Sequence, residues 1–406
     1  MDWRKVLRAV LKGCGILIFV GGPLFIAYLI ASMGAVPLYA ARMVPVAGIA
    51  LLIALILSVI DYLPQRWIKR VWCAFGCVCL LCGGYIGLGM YRDSIPTVDD
   101  RTLILWDYIP FEEENRLAVL EEEADFRIDN PWSLRLDGAT ALYPVYAAFV
   151  QAVYPERGAG YMPESSMGYS PYDSTVECSG TIHAYERLIS GEVDMIFAAG
   201  PSDAQLEAAK AAGMEFHLTP IGREAFVFFV NSANPVEELT VEEIQGIYTG
   251  EIANWKELGG KNQKIRPYQR AENSGSQTSL QRLMAGLPLM EPEEEDRIAG
   301  MGGIITEVAS YRNYKNAIGF SFRYYATEMV QNGEIRLLAL NGVEPTKETI
   351  RDGSYPIASE FYAVTAAPIG APPPQERDEV LAEFLDWILS NQGQELIEKT
   401  GYVALR

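Results

Sequence analysis

Residues 270–278 read Arg270-Ala271-Glu272-Asn273-Ser274-Gly275-Ser276-Gln277-Thr278, and a helix-like run, SLQRLM, follows them. The first N–H groups of a helix have no acceptor within the helix, and the helix dipole makes that end positive. Together with nearby hydroxyl groups and the forked guanidinium of Arg270, these donors suit an oxyanion. An ordinary helix cap is the simpler alternative, because Ser and Asn often precede a helix without any ligand.

Two similar turns occur earlier in the chain, where short strand-like runs alternate with helix-like ones. A strand predicted at 133–136 leads through Thr140 into a helix, and Ser179 and Gly180 open a helix that precedes a strand predicted at 193–197. This alternation indicates an α/β fold. In open α/β sheets, ligands lie beyond the carboxyl ends of strands, where several helix N-termini can converge. The sequence therefore predicts three turns around one anion.

The alternation continues to the end of the chain. Thr240 is predicted to cap a helix, with Glu243 in the capping-box position. Further strands are predicted at 225–230, 318–322 and 335–340, and a terminal helical region at 379–397.

Three uncharged apolar runs occupy the first ninety residues, at 13–31, 43–60 and 71–91. Each is about the length that a helix needs to cross roughly 30 Å of hydrocarbon. A cleaved signal peptide is the alternative for the first run, but two more runs follow it. We therefore predict three transmembrane helices.

Basic residues predict the orientation of these helices. Four lie before the first run and three lie between the second and third runs, whereas the first loop contains only Arg42. The positive-inside rule then places the N-terminus in the cytoplasm and everything after Tyr91 outside the cell or in the periplasm.

Charge is divided unevenly between the two parts. The first ninety residues carry eight Lys or Arg and two Asp or Glu, so of the chain's 33 basic and 52 acidic residues the rest keeps 25 and 50, a net charge of −25. A domain this acidic does not suit nucleic acid or an anionic lipid surface. An anion site within it needs strong local donors.

Five of the six cysteines lie in the apolar runs, and only Cys178 lies outside them. Cys73, Cys77, Cys79 and Cys82 lack His or carboxylate neighbours, which favours packing between membrane helices over a metal site. One exported thiol cannot form a disulfide framework, so the exported domain must be stabilised by its core.

Residues 92–131 are rich in acidic side chains, with one apolar stretch at 103–106. They are predicted to form either a solvated stalk or an arm that lies on the domain. The expected domains are a membrane anchor at 1–91, this acidic stalk at 92–131, and a solute-binding domain at 132–406.

Several motifs together resemble the phosphate-binding protein family of phosphate ABC transporters. They are Ser179-Gly180-Thr181 before a helix, the segments PIGREAFVF at 220–228, LTVEEI at 239–244 and IANWKELGG at 252–260, and the stretch at 270–278. The likeness extends from about Leu136 to the end of the chain.

The resemblance implies a type II periplasmic-binding-protein fold, in which two α/β lobes close over a dehydrated oxyanion. The expected lobes are 132–225 with 356–406, and 226–355. The resemblance also implies the residues that would bind phosphate: Thr140, Ala141, Ser179, Gly180, Thr181, Arg270, Ser274, Gly275 and Ser276.

Two features depart from the family pattern. Gly200 stands where phosphate binders of this family often have an Asp that accepts a hydrogen bond from protonated phosphate, and Asp203 is three residues away. Without that acceptor, discrimination against sulfate would weaken. The second departure is the predicted anchor of three helices, because family members are usually released or tethered by a lipid.

Two functions are therefore open. The first is capture of inorganic phosphate for an ABC importer with permease partners, and the second is a membrane-tethered sensor or binding module for sulfate, molybdate or another oxyanion. An enzyme is not predicted: Cys178 and His183 would not share a helix face, and no Walker-type loop is present. No catalytic residue, metal site or cofactor is expected.

Overall fold

The computed structural model describes residues 3–30, 37–59, 64–94, 97–99, 105–156, 175–292, 297–298, 310–312, 314–329 and 334–405. The chain forms two compact units, Met1–Pro96 and Thr97–Arg406. Ala31 and Ile60, at the ends of two apolar runs, and Leu103 and Ile104 of the later apolar stretch lie outside the described residues.

The described part of the first unit is helical. It consists of α1 (Trp3–Ile16), a π-helical turn (Leu17–Gly21), α2 (Gly22–Ile30), α3 (Leu38–Val59) and α4 (Gln65–Asp93). Three segments are long and apolar enough to cross a membrane, and they agree with the three predicted spans: Val10–Ile30, Tyr39–Ser58 and Gln65–Asp93. Many of their large apolar side chains are exposed within the unit, as lipid-facing residues would be.

The second unit mixes helices and strands. Its helices are α5 (Tyr143–Val153), α6 (Thr181–Ser190), α7 (Asp203–Ala211), α8 (Val241–Thr249), α9 (Gly275–Met284), α10 (Lys347–Arg351), α11 (Glu379–Leu389) and α12 (Asn391–Thr400). Its strands are β1 (Thr97–Asp99), β2 (Leu136–Gly138), β3 (Met195–Ala198), β4 (Met214–Asn231), β5 (Glu238–Leu239), β6 (Arg266–Pro267), β7 (Gln269–Arg270), β8 (Arg297–Ile298), β9 (Ser310–Arg312), β10 (Ala317–Phe322), β11 (Ile335–Leu337), β12 (Ala339–Leu340) and β13 (Ala358–Pro368).

Two long strands connect the halves of the second unit. The sheet has the order β2-β3-β13-β4-β10-β6, and β11 also pairs with β4. The first part of β4 pairs with β13, and its second part pairs with β10 and β11. The pairing of β4 with β13 shifts register between Phe361 and Tyr362. One half thus contains β2 and β3 and the other contains β10 and β6, with β4 and β13 crossing between them.

Each half has its own hydrophobic core. The first core is built around large aromatic side chains that include Tyr146, Phe149, Phe197 and Trp387, with Tyr146 stacked on Phe197 at 5.0 Å between ring centroids. The second core includes Phe228, Tyr248, Trp255 and Phe320. The first core is centred on the first half and also includes Phe229, Tyr324 and Tyr325; a core centred in each half is what a two-lobed domain requires.

The acidic segment is packed against the first half over its described part. Leu105, Tyr108, Leu117 and Ile128 are buried in the first core. The side-chain amide of Gln392 on α12 donates to the carbonyl of Glu123, 3.0 Å away. Residues 105–130 therefore lie along the domain as an arm, the second of the two alternatives given by the sequence.

Two strands have bounds that differ from those predicted from the sequence. The strand expected at 133–136 is β2, at Leu136–Gly138, because Asn130 caps a 3-10 turn over Pro131–Ser133 and delays the strand. The strand expected at 225–230 is only the apolar end of β4, whose first part carries polar residues because it crosses between the lobes.

Two other expected elements are divided. The run at 335–340 forms β11 and β12, which pair with different strands. The terminal helical region is broken at Ser390, whose ψ of 174° ends α11 and begins α12. The predicted capping box of Thr240 and Glu243 is confirmed at the start of α8.

Candidate functional site

The first predicted turn follows β2 and depends on a close approach at Gly138. A β-carbon there would lie 2.6 Å from the carbonyl oxygen of Phe197 and 2.8 Å from the ring of Tyr146, so only glycine fits. The N–H of Ala139 donates to the same carbonyl at 2.8 Å. The chain then forms a 3-10 turn over Thr140–Leu142, and the N–H groups of Thr140 and Ala141 have no acceptor in the described part of the chain.

The second turn is fixed by the buried carboxylate of Asp137. Its Oδ1 accepts hydrogen bonds from the N–H groups of Gly138 and Ser179, at 2.7 and 2.8 Å. Its Oδ2 accepts the hydroxyl hydrogen of Ser179 at 2.6 Å. The N–H of Gly180 donates to the carbonyl of Gly138 at 3.1 Å, and Gly180 has a φ of 82°, which favours glycine. The hydrogen-bond donors of Ser179 and Gly180 thus hold the turn itself.

An ion-pair network lies behind this turn. The guanidinium of Arg187 donates to Asp137 at 2.6 Å and to both carboxylate oxygens of Glu177, at 2.8 and 3.0 Å. Burial raises the pKa of Glu177, and Arg187 opposes this shift. A bidentate pair plus a third charge-assisted bond makes this a rigid support for the second turn.

Helix α6 begins directly after Gly180. The first turn of a helix leaves its N–H groups without intrahelical acceptors. The N–H groups of Thr181, Ile182 and His183 accordingly have no acceptor among the described residues, whereas Ala184 already donates to Gly180 at 2.9 Å. This helix end therefore offers amide donors and the positive end of a helix dipole to a ligand.

The third turn lies at residues 270–278, directly before and at the start of α9. Ser274 caps α9 by accepting the N–H of Gln277 at 3.3 Å, and the N–H groups of Gly275 and Ser276 have no acceptor in the part of the chain that the structure describes. The cap and the ligand-site interpretations are thus compatible. The backbone N–H of Arg270 donates to Gln277 Oε1 at 2.8 Å, which ties β7 to this helix start.

The three turns converge. A β-carbon placed on Gly180 would lie 4.0 Å from Thr140 Oγ1, so the first and second turns are adjacent. A β-carbon on Gly275 would lie 3.4 Å from Thr181 Oγ1 and 3.8 Å from the Ala199 β-carbon, so the start of α9 faces the start of α6. The structure therefore brings together residues from all three predicted turns, with α9 coming from the opposite lobe.

Contacts between the lobes continue beside the site. Ser202, which caps α7, donates to Asn273 Oδ1 at 2.9 Å, and Gln205 Nε2 donates to the carbonyl of Asn273 at 3.3 Å. Arg282 of α9 donates to the carbonyl of Pro201 at 2.7 Å. A β-carbon at Gly200 would lie 3.2 Å from both terminal nitrogens of Arg282. The position expected to hold an acidic acceptor thus faces a cation instead.

Sequence reasoning missed two residues that shape the site. Asp137 was not singled out, although a carboxylate directly before a glycine at the end of a strand was a usable signal. Tyr402 gave no signal: its hydroxyl donates to the carbonyl of Ala141, 261 residues away. This bond anchors the first turn to the C-terminal segment, where Arg223 and Val403 exchange backbone hydrogen bonds.

A buried carboxyl lies where β4 crosses between the lobes. Glu224 is 4% exposed, and its two oxygens accept the N–H groups of Ala225 and Tyr324 at 2.8 and 3.1 Å. Burial raises the pKa of Glu224 to about 7, although Arg323 and these N–H groups oppose the shift.

In the described residues, no group of three His, Cys, Asp or Glu side chains is arranged to hold a metal ion. His183 is exposed and lies 3.0 Å from Glu186, on the same helix. Cys178 is buried and takes part in no disulfide among the described residues. These residues suggest packing and surface roles.

Comparison with known proteins identifies the family to which the chain belongs. A family model described as a PBP superfamily domain matches residues 123–392. The chain belongs to the PBP superfamily. The type II periplasmic-binding-protein fold that the resemblance implied is confirmed.

Relatives of this PBP-superfamily chain include two proteins named phosphate-binding protein PstS. The one from Borreliella burgdorferi (strain B31) is 27% identical over 193 residues, which are 46% of this chain and 66% of the relative, just under two thirds of its length. The one from Bacillus subtilis (strain 168) is 26% identical over 276 residues, covering 67% of this chain and 80% of the relative.

A solved structure is also similar to this PBP-superfamily chain. It is that of a putative phosphate ABC transporter substrate-binding protein with bound phosphate from Clostridium perfringens. The TM-score is 0.48 at 23% identity, with 67% of this chain and 99% of the other covered.

Proposed function

We propose that the chain is a membrane-anchored extracytoplasmic solute-binding protein that captures inorganic phosphate for an ABC importer. The observation that carries this proposal is the convergence of three turns with unpaired amides, from both lobes, on one cleft. Such amides, at helix N-termini, stabilise an oxyanion without the need for a counter-ion. The PstS relatives support phosphate as that anion.

The proposed ligand groups are the amides and side chains of the three turns. They come from Thr140, Ala141, Ser179, Gly180, Thr181, Arg270, Ser274, Gly275 and Ser276. Within this set the amides at 140–141, at 181 and at 275–276 are the direct donors, and Arg270 supplies the charge. Gly180 gives the second turn its shape. The chain binds and releases its ligand unchanged and is not an enzyme.

The two crossover strands support a division of the solute-binding part into two lobes. We propose a membrane anchor at 1–91, an acidic segment at 92–131 and a solute-binding domain at 132–406. Its first lobe is 132–225 with 356–406 and its second is 226–355. Closure of these lobes around β4 and β13 would exclude water from the anion and strengthen each hydrogen bond.

The anchor defines the proposed location. With three crossings and the N-terminus in the cytoplasm, the binding domain lies outside the cell or in the periplasm. A domain held there stays close to the permease subunits that we propose as its partners. Its net charge of −25 makes nucleic acid an unsuitable partner.

One observation favours a second candidate, an oxyanion sensor or binding module for sulfate or molybdate. Gly200 provides no acidic side chain, and Arg282 lies against it. A site made only of donors would prefer a fully ionised anion.

Titration calorimetry on the full chain in detergent micelles tests both candidates. Phosphate, sulfate, molybdate and tungstate are each titrated, and tight binding of phosphate with weak binding of the others is expected. Heat with sulfate or molybdate and none with phosphate would replace the first function with the second.

A further inference from the structure

The hydroxyl group of Ser179 has a fixed direction. Asp137 is fully buried, and four hydrogens point at its carboxylate: the N–H of Gly138, the N–H and O–H of Ser179, and one N–H of Arg187. The three N–H groups can only donate, and Arg187 places its positive charge 2.6 Å from Oδ2, the same oxygen that the Ser179 hydroxyl contacts. The carboxylate oxygen Oδ2 is therefore the acceptor of this pair, and the hydroxyl hydrogen of Ser179 points to it.

This direction leaves the oxygen of Ser179 as an acceptor. A serine hydroxyl has one hydrogen and two acceptor lone pairs, and the hydrogen is committed to Asp137 at 2.6 Å. The described residues donate no hydrogen bond to Ser179 Oγ. Ser179 is half-buried in the turn that opens α6, beside the acceptor-free amides of that helix. It thus adds an oxygen that can only accept, whereas the hydroxyl groups of Thr140 and Thr181 beside it can donate or accept.

Position 200 does not supply an acidic side chain to the cleft. Gly200 has no side chain, and both terminal nitrogens of Arg282 lie 3.2 Å from the position of a β-carbon there. A guanidinium can only donate hydrogen bonds. Arg282 therefore cannot accept the hydrogen of a protonated anion, whereas Ser179 Oγ can.

We propose that Ser179 Oγ accepts the hydrogen of a singly protonated oxyanion and makes this site selective for hydrogen phosphate over sulfate. This inference rests on the proposed function, because it names the group that distinguishes the ligand in the same cleft. Hydrogen phosphate completes the bond by donating its P–OH hydrogen. Sulfate has no hydrogen at neutral pH, so one of its oxygens would face the lone pairs of Ser179, and the buried acceptor would lose its partner.

Asp137 is the positioning residue in this arrangement. It does not touch the anion. It sets the direction of the Ser179 hydroxyl by accepting its hydrogen bond, which leaves the Ser179 oxygen as an acceptor. Arg187 in turn fixes the carboxylate of Asp137 in place through their 2.6 Å contact. The selectivity for phosphate over sulfate thus depends on a buried carboxylate that does not touch the anion, rather than on a carboxylate that lines the cleft.

Monofluorophosphate provides the direct test. It has nearly the shape and charge of hydrogen phosphate, but fluorine replaces the OH group, so it has no hydrogen to donate. The full chain in detergent micelles is titrated with phosphate, monofluorophosphate and sulfate. Phosphate is expected to bind roughly tenfold or more tightly than the other two, as one neutral hydrogen bond and the avoided repulsion imply.

Two alanine variants separate the acceptor from the donors. In Ser179→Ala the phosphate affinity is expected to fall to within about twofold of the monofluorophosphate and sulfate affinities. In the control variant Ser276→Ala, which removes a hydroxyl donor, all three anions are expected to lose affinity by a similar factor. Ser179→Thr, which keeps the hydroxyl, is expected to restore the preference for phosphate.

The outcomes distinguish this inference from the function on which it rests. If the unaltered chain binds phosphate and monofluorophosphate equally, or if Ser179→Ala keeps the full preference for phosphate, Ser179 is not the acceptor and phosphate capture stands. If the unaltered chain binds none of the three anions, the proposed function fails, and this inference fails with it.

Discussion

Ser202 and Asn273 join the two lobes beside the proposed anion cleft through a 2.9 Å hydrogen bond from the serine hydroxyl to the asparagine Oδ1. Ser202 lies at the start of α7 in the first lobe, and Asn273 precedes α9 in the second. Asn273 has a φ of 65°, a conformation that Asn tolerates better than most residues. The structure is therefore closed at this edge, and the contact is one that must break when the lobes separate.

Asn273→Gly should speed anion release. Glycine accepts the positive φ of this position and removes only the side chain that Ser202 contacts. The closed state loses one hydrogen bond between the lobes, so we expect a severalfold faster release of phosphate and little change in the melting temperature. Stopped-flow fluorescence on the full chain in detergent measures the release rate.

The matched control is Asn341→Gly, because Asn341 also has a positive φ, of 50°. Its Oδ1 accepts the N–H of Val241 at the start of α8, away from the contact between Ser202 and Asn273. The release rate should not change. Equal release rates for Asn273→Gly and the unaltered chain would mean that this contact does not control opening.

Arg270→Ala should weaken phosphate binding by roughly thirtyfold, a cost of about 2 kcal/mol, because a charge-assisted contact in a closed cleft is lost. Calorimetric titration with phosphate measures the effect. Arg116→Ala serves as control, since that arginine is 54% exposed in the acidic arm. If the two variants bind phosphate with the same affinity, Arg270 is not a ligand.

Asp137→Asn should destabilise the domain by roughly 3 kcal/mol, because a buried ion pair loses its charge and Arg187 keeps its own. A fall in the thermal unfolding midpoint of the full chain in detergent would report this loss. Asp194→Asn is the control: Asp194 pairs with Arg135 near the surface, where side-chain exposures are 31% and 40%. That change should cost about 1 kcal/mol or less. Similar midpoints for both variants would contradict a special role for the buried network.

Glu224 should make stability depend on pH. Burial raises its pKa from the usual 4.5 to about 7 in the folded state. Between these values the folded chain holds a proton that the unfolded chain has released, so this group's contribution to stability falls as pH rises from about 4.5 to about 7 and is constant above. The change is on the order of 3 kcal/mol.

Glu224→Gln cannot ionise, and its unfolding free energy should lack this decline with pH. Thermal unfolding at a series of pH values, compared with the unaltered chain, isolates the contribution. Glu242→Gln changes an exposed carboxyl on α8 and should leave the pH dependence unchanged. A parallel pH dependence in Glu224→Gln and the unaltered chain would show that folding does not raise the pKa of Glu224.

Short-range patterns in the sequence determined much of this protein. The three apolar runs, the capping box of Thr240 and Glu243, and the alternation of strands and helices each depend on residues within a few turns of one another. Such patterns also located the three small polar turns at 140, 179 and 274. They failed where an element's length is set by distant partners: β4 extends over 18 residues because it pairs with β13 and then with β10.

The tertiary structure alone decided the hydrogen-bond arrangement at the candidate site. The sequence could mark Ser179 as a polar residue at a helix start, but its hydrogen-bond polarity comes from Asp137, 42 residues earlier. The support of Ala141 by Tyr402 and the contact between Ser202 and Asn273 likewise join residues far apart in the chain. Local propensity identifies donors, whereas only the folded arrangement decides which hydrogens are already used and which atoms remain for a ligand.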